Sequence, residues 1–584
     1  MRRITRRRAL GSAVAIGVAG AGAGVAALAL RQGSPEKARP SPSSTPSPAA
    51  GATPSPTPTP LPRRGGTARF AAPVGFNFDT FDAQRSGEPS VVELLGRTHS
   101  RLVQWADFAA PSLSGDLAGR WEQPDESTLV LHLDSRARWQ DRWPLMGRSV
   151  TAQDCAASVQ RSLQLARAGE LPVSQRPWDY AGLSEVVATS ASEVTIRTAR
   201  PDPFLLQMLA GRFALVQAPE AVEAFGVRWH ELAPDTVVGS GPFVFRGFDE
   251  RGALVLDAHG AMHAPPVPNG LEISQPFDVV ERFIDGKLDE ALVRDRRDAA
   301  RIRTGARQRF VELARFEDSP VLSTFSVGAP PWNDPRLRMA LSAALNRMEL
   351  AMRLFGGRAT AAGPVAPALP SFALPESVLA RFAGYRPDLA EDSREARALW
   401  EAGGGPSLGP VIVDFPSVFD PLYSASSVVT GMLNDAIGTG QFRPAVESYP
   451  IISRKASEGA YGNGKARFWF GWGPALPGPD PARFLAENYA STSRGAAATG
   501  FLDDAVDRLL AKAVAEFDEA ARRALIMEAQ RALLAAGGGG VIDWVLQRSE
   551  VFRREDLGGR PQPAPFWDQH LDAQAYLDLA GAAG

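Results

Sequence analysis

Apolar and polar positions recur along this chain with two different periods. A period of two marks half-buried strands, and a period near 3.6 marks helices. The segment 67–74 (TARFAAPV) reads as a first strand, and 127–134 (STLVLHLD) alternates as a half-buried strand does. The segment 149–169 (SVTAQDCAASVQRSLQLARAG) predicts a helix with Ala156, Val159 and Leu163 on its apolar face. Thr151 and Asp154 stand at capping-box spacing at its start, with Asp in place of the usual Glu. Further strands are predicted at 193–201 (EVTIRTARP) and 252–258 (GALVLDA). Between them, 237–245 (VVGSGPFVF) sets two glycines and a proline between apolar runs, which predicts a sharp turn.

The second half is richer in helix periods. The segment 333–355 predicts one long amphipathic helix with Pro335 in its first turn. A shorter helix is expected at 393–404, ended by glycine, and two helices at 501–540. Strands and helices interleave throughout, and no internal repeat is visible. The pattern predicts an α/β protein of two lobes, with the chain crossing between them more than once.

Composition narrows the function classes. Of 584 residues, 44% are hydrophobic and 22% charged, as in an ordinary globular protein, and the formal net charge is −2. There is no basic footprint for nucleic acid. The single cysteine, Cys155, excludes an intrachain disulfide and a cysteine-cluster metal site, and its helical neighbours mark it as inert core. His259 and His263 are four apart, a metal spacing only on a helix; Gly260 and the following prolines argue against one, and no metal is expected. Enzyme signatures are missing too. The GSG at 239–241 is no nucleophile elbow, and Asp503 and Asp504 stand at a helix start, where acids suit the dipole. No cofactor and no catalytic residue is expected.

The N-terminus carries an address. Five arginines precede and flank the start of an Ala/Gly/Val/Leu run over residues 1–30, the pattern of an export signal, and Thr5–Leu10 (TRRRAL) is similar to a twin-arginine signal. The segment is either cleaved near Ala27–Ala29 or retained as a membrane-anchoring helix. Residues 31–64 form a Pro/Ser/Thr-rich linker, an extended spacer that would tether a globular body near the membrane.

Several of these stretches together resemble one family. The segment 149–163 is similar to the Thr-Ala-Glu-Asp-Val segment of family 5 extracytoplasmic solute-binding proteins, and 237–245 to their Val-Gly-Thr-Gly-Pro-Tyr turn. The segment 330–347 (PPWNDPRLRMALSAALNR) resembles their Asp-x-Arg-Val-Arg-x-Ala-Leu helix, and 466–485 (ARFWFGWGPALPGPDPARFL) their Gly-Trp…Asp-Pro…Phe-Leu loop. The order of these motifs matches as well.

The resemblance implies a two-lobed periplasmic-binding-protein fold with a ligand cleft between the lobes. Lobe I is expected from 65–100, 190–310 and 541–584, its extra subdomain from 101–189, and lobe II from 311–540. The implied function is capture of a peptide or similar polar organic solute by a monomeric receptor, which delivers it to the permease and ATPase of an ABC importer. The alternative is an orphan sensor or extracytoplasmic chaperone without transport.

The resemblance also selects candidate ligand contacts. In the loop these are Trp469, Gly471, Trp472, Gly473 and Asp480; on the exit of the first strand they are Asn77, Phe78 and Phe81. For Trp469 and Trp472 the competing role is core packing, and for the stretch 75–90 it is a surface loop with one phenylalanine tucked under. Peptide receptors of the family carry an aspartate three residues after the tryptophan, and Ala475 stands there in this chain. Asp480 is then either a substitute anchor or the start of a helix.

Overall fold

The computed structural model describes residues 65–73, 75–107, 112–462, 464–475 and 478–559, together with Asp572, Tyr576 and Leu577. The expected export signal and linker lie outside the described residues. The helix Ala152–Ala168 shows how local sequence sets the elements. Asp154 N–H donates to Thr151 Oγ1 at 3.3 Å and Thr151 N–H to Asp154 Oδ2 at 2.9 Å, a full capping box. Gly169, in the left-handed region, ends the helix. Ala156, Val159 and Leu163 are all buried, as their spacing predicts.

Three main sheets organise the chain. The first runs in the order Thr67–Ala71, Gly270–Ser274, Leu254–Ala258, Phe243–Phe248, with the first pair parallel. The second is antiparallel, in the order Ala118–Asp125, Thr128–Leu133, Glu193–Thr198, Leu183–Ser190. These two share one hydrophobic core. The third has the order Glu290–Val293, Val541–Arg554, Val321–Thr324, Arg467–Trp472, Val411–Pro416, Phe442–Glu447. Phe310–Phe316 and Ala359–Ala361 also pair with Val541–Arg554. A separate core fills this second lobe, and a helical cluster lies beside it.

Three expectations change. The long helix over 333–355 is two helices, Pro335–Ala344 and Arg347–Phe355. Asn346 breaks it, because its side chain accepts from the N–H groups of Met348 and Glu349 and starts a new helix. The strand Val541–Arg554, expected in lobe I, lies in the third sheet, and so does its partner Glu290–Val293, expected in the same lobe. The 14 residues of Val541–Arg554 are long enough to pair with Val321–Thr324 at one end and with Glu290–Val293 and Phe310–Phe316 at the other. The strand Glu193–Thr198, also expected in lobe I, belongs to the subdomain sheet, because a hairpin joins it to Leu183–Ser190.

The glycines of 237–245 answer to a close approach. A Cβ on Gly239 would stand 2.1 Å from Thr98 O, and one on Gly241 2.6 Å from His99 N. The end of the helix Pro89–Thr98 is pressed against this segment, and Gly241 N–H donates to Thr98 O at 2.9 Å.

Candidate functional site

In open α/β sheets, ligands meet the carboxyl ends of parallel strands. In the second lobe those ends are Pro416, Glu447 and Trp472, on the parallel trio Val411–Pro416, Phe442–Glu447 and Arg467–Trp472. In the first lobe the parallel pair Thr67–Ala71 and Gly270–Ser274 ends at Ala71 and Ser274. The candidate residues fall into these two groups, one in each lobe.

The strand Arg467–Trp472 has two unlike edges. On one side it pairs with Val321–Thr324 along its end, from Trp469 opposite Thr324 to Trp472 opposite Val321, and Gly473 N–H donates to Pro320 O at 2.7 Å. On the other side its ladder with Val411–Pro416 stops at Asp414 opposite Trp469. Pro416 has no N–H to continue it. Gly471 sits against that proline: a Cβ there would be 3.0 Å from Pro416 Cγ and 3.1 Å from Trp469 Cζ3. Glycine is what lets the two strands stay this close. Gly473 is similarly tight, with Leu322 Cδ2 2.3 Å from its missing Cβ.

Trp472 is half-buried. Its ring stands edge-on to Phe419, with centroids 4.8 Å apart at 86°, and to Tyr423 at 6.2 Å. Those two aromatics follow Pro416, and their only mark in the sequence is an aromatic pair in a turn with Pro and Asp. The Tyr423 hydroxyl donates to Gln547 Oε1 at 2.7 Å, and burial pushes its pKa up to about 12. Nearby, burial pushes Glu317 up, yet Arg294 and Arg315 hold its carboxyl below the usual range. Three exposed apolar side chains, Val418, Leu422 and Tyr449, follow the strand ends Pro416 and Glu447 in sequence. Trp469 is half-buried, and its indole N–H is enclosed without a partner among the described residues.

In the first lobe Asn77 is exposed and Phe78 half-buried. The loop is pinned by Phe76 N–H donating to Gln275 Oε1 at 3.0 Å and Asn77 N–H to Ser90 Oγ at 2.8 Å. Beyond the neighbouring strand end, Phe277 is 75% exposed. Phe81 is a different case. It is wholly buried between Phe78 and Phe245, so it supports Phe78 and offers no face of its own.

Asp480 is likewise occupied. Its Oδ1 accepts from Ala482 N–H at 3.0 Å, at the start of the helix Ala482–Tyr489. Its Oδ2 accepts from Arg522 Nε at 2.7 Å, with both side chains buried. The carboxylate is a helix-starting, paired group. Ala475 is exposed. Cys155 is buried and free. His259 Nδ1 lies 3.0 Å from Gly241 O, and burial lowers its pKa; His263 Nε2 faces Asp116 Oδ1 at 3.4 Å. Among the described residues no group of three His, Cys, Asp or Glu side chains is placed to hold a metal ion, and no helix is long and apolar enough to cross a membrane.

Residues 112–493 match the family of bacterial extracellular solute-binding proteins, family 5 Middle. This chain belongs to that family. Its relatives include a Pseudomonas aeruginosa protein named "Probable di/tripeptide-binding protein 5", 24% identical over 495 residues, covering 79% of this chain and 86% of that one. Among solved structures, the ABC transporter-associated periplasmic binding protein DppA of Helicobacter pylori, in complex with peptide STSA, aligns with a TM-score of 0.70 at 17% identity, over 88% of this chain and 99% of that one. The periplasmic binding protein AgaA of A. tumefaciens, in complex with agropinic acid, aligns with a TM-score of 0.68 at 18% identity, over 88% and 99%. At such identities these structures show the shared fold. The two-lobed architecture of this family 5 protein is therefore that of periplasmic binding proteins.

Proposed function

We propose that this family 5 protein captures a peptide, or a polar organic solute of comparable size, between its lobes and presents it to the permease of an ABC importer. The observation that carries the reading is the strand edge at Phe470–Ala475. There the main chain runs past the end of its parallel partner, and an extended ligand can pair with it as an added strand. Trp472, backed by Phe419, supplies an aromatic wall beside that edge. Asn77 and Phe78 are the proposed contacts from the other lobe. The di/tripeptide-binding relative and the peptide-bound DppA support the ligand class. The AgaA complex is why the proposal includes other polar solutes.

No bond is made or broken in this scheme. A ligand that touches both lobes does so only when they are closed, so it shifts the population toward the closed state by its differential affinity. The protein acts as a monomer on the extracytoplasmic face, held near the membrane by its N-terminal segment.

A thermal-shift screen with defined di- to pentapeptides, sugars and Ni²⁺ tests the ligand class, since anything that binds only the folded state raises Tm. Stabilisation by peptides supports the proposal. Stabilisation by Ni²⁺ with no response to any peptide or other organic solute overturns it.

A further inference from the structure

The helix Ala482–Tyr489 begins where the candidate loop ends, and it touches the other lobe. Arg483 donates from Nη1 to Asp179 Oδ1 at 2.7 Å and from Nη2 to both carboxylate oxygens of Asp202 at 2.6 Å. One turn on, Glu487 accepts from Arg176 Nη1 at 2.8 Å and Trp178 Nε1 at 2.5 Å. Arg176, Trp178 and Asp179 belong to the short helix Pro177–Ala181 and its N-cap, in the subdomain of the first lobe. Asp202 follows the last strand of that subdomain, Glu193–Thr198.

An apolar plug accompanies the ion pairs. Phe204 is a first-lobe residue by sequence, yet it is 2% exposed and belongs to the same hydrophobic cluster as Ala482, Leu485, Val506 and Leu510 of the second lobe. Two guanidinium groups flank its ring, Arg483 at 5.0 Å and Arg522 at 5.3 Å. Arg522 is the residue that holds Asp480. The contact is thus wired to both ends of the segment that follows the candidate loop.

We propose that Phe204 and the Arg483–Asp202 pair form a latch between the lobes that sets how far the ligand-free receptor is closed. Separating the lobes here would bring the Phe204 ring into water and part the ion pairs, so these contacts belong to the apposed state alone. Because none of these side chains is a proposed ligand contact, they are positioning residues. They act by biasing closure and by holding the helix that follows the Trp472 loop. The inference goes beyond the choice of ligand and does not depend on it.

The test needs no ligand. Cysteines introduced at the exposed positions Ser190 and Glu401, one in each lobe, accept spin labels in the full-length protein, while native Cys155 is buried and does not react. Double electron–electron resonance then reads the distance between the lobes. The latch predicts that Arg483→Gln and Phe204→Ala each add a population at longer distance. It predicts that the exchange Arg483→Glu with Asp202→Arg restores the short distance that Arg483→Glu alone loses. Arg483 is partly exposed, so Arg483→Gln remains informative if Phe204→Ala folds poorly. An unchanged distance distribution in Arg483→Gln overturns the latch, as does a failure of the exchange pair to recover what the single charge reversal loses.

Discussion

Arg522 holds Asp480 across 42 residues of sequence, Nε to Oδ2 at 2.7 Å, with both side chains almost wholly buried. An acid in a glycine- and proline-rich loop beside two tryptophans invites a reading as a ligand anchor. In the fold its charge is already matched, and its other oxygen starts a helix.

Asp480→Asn should therefore act on stability. Breaking a buried pair by removing one charge costs about 3 kcal/mol, because the other charge stays buried. Urea unfolding followed by circular dichroism measures this loss. Ligand affinity of the folded protein should change less than about threefold, which is under 1 kcal/mol. Unchanged stability with lost binding would restore Asp480 as an anchor.

Trp472→Ala should do the reverse. The ring is half-buried against Phe419 and Tyr423, so truncation should cost about 2 kcal/mol of stability, less than a fully enclosed aromatic loses. Its exposed face is the proposed wall for the ligand, so affinity for a bound peptide should fall at least tenfold, about 1.4 kcal/mol. Calorimetric titration of both proteins with one stabilising peptide gives the ratio.

Gly241→Ala tests the close approach of the helix end to the segment 237–245. The new methyl would stand 2.6 Å from His99 N, against backbone that cannot swing aside. A loss of about 3 kcal/mol or more, or failure to fold, is expected from overpacking of this kind. A variant as stable as the parent would mean that the segment has room to move.

His99, in the same place, should give stability a pH dependence. Burial pushes its ring down to about 4, while the free side chain titrates near 6.5. Below about 6.5 the unfolded chain binds a proton that the folded protein refuses. Stability should therefore fall as pH drops from about 6.5 toward 4, by on the order of 3 kcal/mol in all. His99→Gln should flatten that part of the profile, measured by denaturant titration at several pH values. An equal slope in the variant would assign the effect to other groups.

The sequence shows some of these features plainly and hides others. The capping box at Thr151 and Asp154, the helix face Ala156, Val159 and Leu163, and the alternating strand at 128–133 are local patterns, and local patterns are written in neighbouring residues. The break at Asn346 is also local, but a good amphipathic period on both sides conceals it. Phe81 looks like a loop aromatic until Phe245, from a strand more than 160 positions away, closes over it. Separation in sequence likewise hides Arg522 from Asp480, 42 positions apart, and Asp202 from Arg483, 281 apart. Partners set by the fold leave no trace in spacing. The membership of Val541–Arg554 in the third sheet is of this kind, because its length permits pairing in either lobe and only the partners decide.

Mass spectrometry of the small molecules released when the natively produced protein is denatured tests the central claim most directly. A family 5 receptor that holds a peptide or a comparable polar organic solute between its lobes should release such a molecule, close to one per chain. Release of only a metal ion would contradict that claim. So would conversion of added peptides into new products by the purified protein.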